Sequence, residues 1–113
     1  MLMHEAMIAQ SLLEAITKEA EKHNAKPLSA TISCSVFDAV NDEALGFAFD
    51  TIARESVCEG MKLKIEHRPL RGQCKKCNEV CEFEYRNPAC SNCGSSTLDL
   101  LPQPPLTLEE IEF

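Results

Sequence analysis

The chain has 113 residues with no tryptophan, one tyrosine and five phenylalanines, so its core must be aliphatic and modest in size. A formal net charge of −7 argues against sequence-independent nucleic-acid binding and against docking on an anionic membrane. No stretch approaches the roughly 20 apolar residues of a membrane span, and the first residues lack the basic segment of a secretory signal. We therefore expect a cytoplasmic protein that binds neither nucleic acid nor membrane.

The first third of the chain predicts a helix followed by a strand. Apolar residues recur at helical spacing over residues 7–23, and Pro27 prevents the helix from continuing. Residues 28–36 then alternate between apolar and small polar side chains. This alternation predicts a half-buried strand with one wet face.

A second helix and a second strand follow. Asn41 or Asp42 can cap the helix, and Gly60 marks its expected end. Residues 61–70 alternate again and predict a strand with His67 on its apolar face.

The remainder of the chain changes in composition. Residues 72–96 are rich in Gly, Cys, Asn, Pro and Ser, and only residues 79–86 are strand-like. Three prolines between positions 102 and 105 form a stiff connector to residues 106–113, which predict a returning strand. This order predicts an α+β fold, with two helices on one face of a small mixed sheet and an inserted four-cysteine zinc-ribbon module. We expect residues 1–70 and 103–113 to form the α+β domain and residues 71–102 the module.

Two C-x2-C pairs separated by twelve residues dominate the module: Cys74 with Cys77, and Cys90 with Cys93. Each pair can form a tight turn that points two sulfurs at one ion, and each is followed by an asparagine or glycine that tolerates positive φ. Four thiolates predict tetrahedral Zn(II) in a closed, structural site. Iron in a rubredoxin-like site is the chemical alternative. Because no export signal is present, metal binding in a reducing compartment is favoured over disulfides.

The other cysteines and histidines have simpler interpretations. Cys81 is expected to pack as a small hydrophobe, although it could replace a ligand. Cys34 and Cys58 are expected to be core thiols. His23 suits the negative C-terminal end of the first helix, and His67 is expected at the rim of the core with a hydrogen-bond partner.

The chain begins Met1-Leu2-Met3-His4-Glu5. On its own, His4 would be a solvated terminal histidine. Near a chain start, however, an imidazole, deprotonated backbone amides and a free amine can form a planar nitrogen set. Such a set suits Ni(II) or Cu(II) and does not suit Zn(II).

The Met3-His4-Glu5 start, the two helices and the spaced cysteine pairs together resemble the HypA/HybF family over essentially the whole chain. Members of that family deliver nickel to nickel–iron hydrogenase and, in some bacteria, to urease. The resemblance implies that His4 ligates Ni(II) with adjacent backbone nitrogens, that Glu5 supplies an amide or orients the site, and that the α+β domain is therefore nickel-binding. It also implies zinc binding by the four cysteines of the module, namely Cys74, Cys77, Cys90 and Cys93.

Family members begin at Met-His-Glu, whereas Met1-Leu2 precede that motif here. If Met3 is the first residue, His4 is second and the family arrangement is intact. If Met1 is removed, His4 is third from a free amine, which gives a tighter planar chelate. If the chain stands as written, His4 is fourth, and the site must depend on internal amides.

The resemblance implies three kinds of partner: a HypB-type nickel GTPase, the hydrogenase large-subunit precursor and, in some members, urease maturation proteins. An exposed returning strand would also permit a homodimer. The alternative function is a zinc-ribbon adaptor that mediates protein–protein interaction without nickel carriage. We expect no enzyme activity, because the sequence has no Ser-His-Asp set, no phosphate loop and no open metal site flanked by carboxylates.

Overall fold

The computed structural model describes residues 3–113, apart from the side chain of Met3. Within this range lie two α-helices, a short 3-10 helix and six strands, in the order α1 (Met3–His23), β1 (Ser29–Cys34), the 3-10 helix (Val36–Asp38), α2 (Asp42–Ala53), β2 (Lys62–His67), β3 (Leu70–Cys74), β4 (Val80–Phe83), β5 (Leu98–Leu100) and β6 (Thr107–Glu112). None of the helices in this range is long and apolar enough to cross a bilayer.

The chain forms two compact units. The helical unit consists of the described residues through Ser33, of Val40–Glu66 and of Thr107–Phe113. The cysteine unit consists of Cys34–Ala39 and His67–Leu106. Each unit has its own three-stranded sheet.

Helix α1 buries one apolar stripe in the helical unit. Ala9, Leu12, Ile16 and Ala20 recur every three or four residues, and each is at most 5% exposed. Asn24 follows the helix with a φ of 49°, the left-handed conformation that ends many helices. The helix begins at Met3, four residues before its predicted start. His4 and Glu5 therefore lie in its first turn.

Helix α2 starts as its sequence predicts and ends earlier. The side chain of Asn41 accepts a hydrogen bond from the Ala44 N–H at 2.9 Å, which caps the helix. The helix ends at Ala53, so the prediction that it runs to Gly60 is wrong. The Ser56 hydroxyl donates to the Ala53 carbonyl at 2.6 Å and satisfies that carbonyl outside a helix. Gly60, with a φ of 82°, lies instead in the turn before β2.

The sheet of the helical unit has the order β2-β1-β6 and is mixed. Strands β1 and β6 are antiparallel. The hydrogen bonds from Lys62 to Leu28 and from Arg68 to Cys34 have the same residue offset, so β1 and β2 run parallel. Helix α2 forms the crossover between them. The predicted α+β class, with two helices and a small mixed sheet, is confirmed.

Strand β1 is buried on both faces, and the predicted wet face is wrong. Ser29, Thr31 and Ser33 are at most 7% exposed. As the central strand, β1 lies between β2 and β6, and long side chains from both neighbours lie over Ser29. The Ser29 hydroxyl donates to Glu112 at 2.9 Å, and Lys64 lies 3.3 Å from the same carboxylate.

The predicted strand over residues 61–70 is two strands that belong to different sheets. Pro69 separates β2 from β3, because proline cannot donate to a strand ladder. Strand β3 then forms the centre of the cysteine unit's sheet, with order β4-β3-β5 and antiparallel pairing on both sides. Gly72 lies at the tightest point of this sheet, since a Cβ there would be 2.9 Å from Phe83 and 3.0 Å from the Asp99 carbonyl.

The proline connector leads to the returning strand that the sequence predicts. The Arg68 guanidinium donates to the carbonyls of Pro104 and Pro105 at 3.1 and 2.9 Å, which fixes the proline connector within the cysteine unit. The returning strand is β6, and the strand-like stretch over residues 79–86 gives β4.

Candidate metal centre

Two similar turns bring the four predicted zinc ligands together. Cys74 ends β3 and its turn carries Cys77, while a second turn carries Cys90 and Cys93. The four sulfurs all lie within 4.8 Å of one another, with 3.5 Å between Cys74 and Cys93 and 3.6 Å between Cys77 and Cys90. Zinc–sulfur bonds of about 2.3 Å in a tetrahedron imply sulfur–sulfur distances of about 3.8 Å. The four thiols therefore fit a tetrahedral ion of this size.

Local backbone geometry explains why both turns have this shape. The Asn78 N–H donates to the Cys74 carbonyl at 2.9 Å, and the Gly94 N–H donates to the Cys90 carbonyl at 2.8 Å. Asn78 and Gly94 have φ values of 66° and 78°. The left-handed residue after each cysteine pair, expected from the sequence, is thus present in both turns.

Backbone amides point at the sulfurs of the first cysteine in each pair. The N–H groups of Lys76 and Cys77 donate to Cys74 Sγ at 3.4 and 3.5 Å, and the N–H of Asn92 donates to Cys90 Sγ at 3.4 Å. Such donors stabilise a thiolate more than a thiol. The turns therefore favour the form of cysteine that binds metals.

The thiols differ in how readily they ionise. Hydrogen bonds from the Cys77 and Cys93 amides lower the pKa values of Cys74 and Cys90, respectively. The Ser95 amide acts most strongly on Cys93 and lowers its pKa, but the neighbouring thiols, led by Cys74, together with burial raise that pKa to about 12. Four negative charges at this spacing repel one another, so full ionisation requires a cation among them.

The predicted nickel residues have opposite environments in the first turn of α1. His4 is exposed, whereas Glu5 is 4% exposed. The Glu5 carboxylate accepts a hydrogen bond from the Asn41 N–H at 3.1 Å, and Asn41 is the residue that caps α2. This carboxylate therefore links the starts of the two helices. The question of which residue is first concerns Met1 and Leu2, which lie outside the described residues.

The sequence matches one protein family over residues 3–113, described as hydrogenase/urease nickel incorporation, metallochaperone, hypA. The chain belongs to the HypA family. It is 32% identical over 112 residues to the hydrogenase maturation factor HybF of Proteus vulgaris, with 98% of this chain and 99% of the relative covered. It is 33% identical over 113 residues to the hydrogenase maturation factor HypA of Salmonella typhimurium, with 98% and 96% covered.

Solved HypA structures share the fold. The solution structure of the nickel metallochaperone HypA from Helicobacter pylori aligns with a TM-score of 0.62 at 23% identity, covering 96% of this chain and 95% of that one. A second HypA solution structure aligns with a TM-score of 0.67 at 24% identity, covering 99% and 97%. The resemblance inferred from the sequence is thus confirmed. HypA family members are metallochaperones of hydrogenase maturation and not enzymes.

The remaining buried thiols fall into two kinds. Cys34 and Cys58 are fully buried, as expected of core thiols. Cys58 Sγ lies 3.8 Å from the Thr17 hydroxyl, and burial raises its pKa. Cys81 is 6% exposed, and burial raises its pKa as well. Unlike the other two, it packs beside two predicted zinc ligands, Cys74 and Cys90.

His23 and His67 have the following contacts. His23 closes α1 as predicted, with Nε2 3.9 Å from Glu19 and its ring 4.5 Å from the Phe113 ring. His67 is exposed and lies at the end of β2, in alternation with the half-buried Leu63 and Ile65. Its Nδ1 lies 3.5 Å from Cys34 Sγ, which supplies the hydrogen-bond partner that was expected.

The contact between Glu5 and Asn41 was not predicted from the sequence. Asn41 was predicted to cap a helix from its type and position, which are local properties. The partner of a buried carboxylate 36 residues away depends on how two helices pack, and no local pattern shows it.

Proposed function

We propose that this chain is a nickel metallochaperone that binds Ni(II) through His4 and delivers it for maturation of nickel–iron hydrogenase, while Cys74, Cys77, Cys90 and Cys93 hold a structural Zn(II). The observation that carries the proposal is an exposed imidazole in the first turn of α1, in a chain that matches a nickel-incorporation family over residues 3–113.

The first turn of α1 offers nitrogen ligands beside the imidazole. The first four N–H groups of a helix have no partner within the helix, so deprotonating them breaks no helical hydrogen bond. His4 and these amides can supply a planar nitrogen set, which suits Ni(II). Because the Glu5 carboxylate is held by Asn41, Glu5 contributes through its backbone nitrogen.

An exposed site of this kind suits transport. The positive end of the helix dipole opposes a cation until amide protons leave. Nickel affinity should therefore rise with pH and fall as protons return. Exposure of His4 leaves the ion accessible to an acceptor protein.

The cysteine centre suits a zinc ion that stays bound. Zn(II), when bound, supplies the positive charge that allows four thiolates to lie within 4.8 Å of one another. The geometry of the four sulfurs is fixed by two turns, each followed by a residue in the left-handed conformation, and by three backbone amide donors. Since four sulfurs fill the coordination sphere, the role of this ion is structural.

The proposed partners follow from the family. They are a HypB-type nickel GTPase and the hydrogenase large-subunit precursor in the cytoplasm. The family's description joins hydrogenase and urease, which supports urease maturation proteins as a further acceptor. A homodimer is a further proposal. The division into a nickel domain of residues 1–70 and 103–113 and a zinc module of residues 71–102 stays a prediction about which parts fold independently.

Calorimetric titration of Ni(II) into the zinc-loaded chain tests the nickel site. The matched variants are His4→Ala and His23→Ala, since both histidines are exposed and lie at opposite ends of α1. We expect one bound Ni(II) with planar d–d absorbance in the parent chain and in His23→Ala, and neither in His4→Ala. A chain starting at Met3 shows whether the position of the free amine matters.

Equal binding by all variants, at the level that any exposed histidine gives, would contradict nickel carriage. The zinc-ribbon adaptor would then become the leading function.

A further inference from the structure

Cys81 lies beside the four-cysteine centre without belonging to either C-x2-C pair. It is on β4, where it pairs with Gly72 of β3. Cys74 is two residues from Gly72, and side chains two residues apart on a strand share a face. Cys81 and Cys74 therefore project from the same face of the sheet, on neighbouring strands.

Side-chain packing brings Cys81 close to two of the predicted ligands. Cys74, Cys81 and Cys90 form one buried cluster, against which Cys77 and Leu98 pack. A fifth cysteine thus packs against the predicted zinc ligands.

The two other buried thiols show what packing alone looks like in this chain. Cys58 contacts the Thr17 hydroxyl, and Cys34 contacts the His67 ring. Of these three thiols, only Cys81 belongs to the buried cluster that contains the predicted ligands Cys74 and Cys90.

The ligand most open to replacement is Cys93. It is the exposed member of the four, whereas Cys74 and Cys90 are buried and Cys77 is half-buried. Loss of one sulfur would leave three ligands and an open position, a coordination typical of catalytic and not of structural zinc.

We propose that Cys81 is a reserve zinc ligand that replaces Cys93 when that sulfur leaves the ion, so that coordination by four sulfurs is kept. The exchange balances because Cys81 releases its thiol proton to solvent as it binds, and the departing Cys93 thiolate takes one up. This inference rests on the proposed zinc site.

The test compares metal binding by the full chain and by the variants Cys93→Ala, Cys81→Ala and the double variant. Zinc content and affinity are measured, together with the sulfur-to-metal charge-transfer band of the cobalt(II) form. We expect Cys81→Ala to resemble the parent and Cys93→Ala to keep one zinc and a four-sulfur band. If the two substitutions were independent, their effects on zinc affinity would add; we expect the double variant to bind zinc roughly tenfold or more weakly than that sum. Its cobalt band should lose about a quarter of its intensity, because three sulfurs remain of four.

Two controls separate ligation from packing. Cys34→Ala combined with Cys93→Ala removes a buried thiol outside the cluster of Cys74, Cys81 and Cys90 and should behave as Cys93→Ala alone. Cys81→Val combined with Cys93→Ala fills the buried space without a sulfur and should lose zinc as the double alanine variant does.

Retention of zinc by the valine form would overturn the proposal in favour of packing. A three-sulfur band in Cys93→Ala that Cys81→Ala leaves unchanged would overturn it as well. If the parent chain itself fails to bind one zinc, the zinc site is wrong and not merely the reserve ligand.

Discussion

The cysteine centre and the first turn of α1 differ in how completely the chain prepares them for a metal ion. The cysteine centre has four sulfurs within 4.8 Å of one another and three backbone amides that donate to them. A residue in the left-handed conformation follows each of its two turns. The first turn of α1 offers one exposed imidazole, while the adjacent carboxylate of Glu5 is occupied by Asn41. A closed set of ligands retains its ion, and an open one can release it. The difference therefore matches a resident zinc and a transported nickel.

Removal of zinc should have the largest effect of the changes considered, and it should unfold the cysteine unit while the helical unit stays folded. Structural zinc contributes about 10 kcal/mol or more of apparent folding free energy in small modules. We expect a strong chelator to abolish amide-exchange protection in β3, β4 and β5 while α1 keeps its protection. Exchange measured by NMR before and after chelation checks this. Persistent protection of β3 without metal would contradict a structural role for the ion.

The helical unit should depend on packing and not on metal. Phe49 is fully buried in α2, and Phe49→Ala should destabilise the unit by roughly 3–5 kcal/mol. Zinc content should stay at one per chain. Phe47→Ala is the matched control, because Phe47 is two positions away on the same helix and 72% exposed. Chemical denaturation followed by helical circular dichroism measures both variants, and equal losses would contradict the assigned core.

We expect the Glu5 carboxylate to stabilise the fold and not to bind nickel. Glu5→Ala leaves the part-buried Asn41 N–H without its charged acceptor and should cost roughly 1–3 kcal/mol of unfolding free energy. Nickel affinity should change little, because the proposed ligand from Glu5 is a backbone nitrogen. Glu21→Gln, an exposed position on the same helix, serves as the control. A loss of nickel binding in Glu5→Gln, which retains an acceptor oxygen, would instead make the carboxylate a ligand.

A smaller effect concerns pH. The Ser29 hydroxyl and then Lys64 hold the pKa of Glu112 below its ordinary value of 4.5. The folded state therefore favours ionised Glu112. Its contribution to the free energy of unfolding is fully present above pH 4.5 and is lost as pH falls through the lower pKa of the folded state. The melting temperature of Glu112→Gln should fall less than that of the parent between about pH 5 and pH 3. Glu109→Gln, an exposed change on the same strand, should follow the parent.

The sequence predicted best what depends on neighbouring residues. The cysteine turns followed from the spacing of each pair and from Asn78 and Gly94, all within a few positions. The buried polar residues of β1 were predicted wrongly, because alternation indicates a wet face only if nothing covers it. Placement of β1 between β2 and β6 decides that, and it depends on residues more than 25 positions away.

Two errors in element boundaries have different causes. Pro69 was a visible signal for the break between β2 and β3, since it lacks an N–H for the ladder. The end of α2 at Ala53 had no comparable marker in the sequence, and the hydroxyl and N–H of Ser56 satisfy the Ala53 carbonyl there. The site residues were found by motif and resemblance, while the link between Glu5 and Asn41 required the packed helices.

X-ray absorption at both metal edges, on the chain loaded with one Zn(II) and one Ni(II), tests the division of the two ions most directly. The account predicts four sulfurs at about 2.3 Å around zinc and a planar set of nitrogen or oxygen donors without sulfur around nickel. Sulfur in the nickel shell, or an unchanged nickel spectrum in His4→Ala, would contradict it.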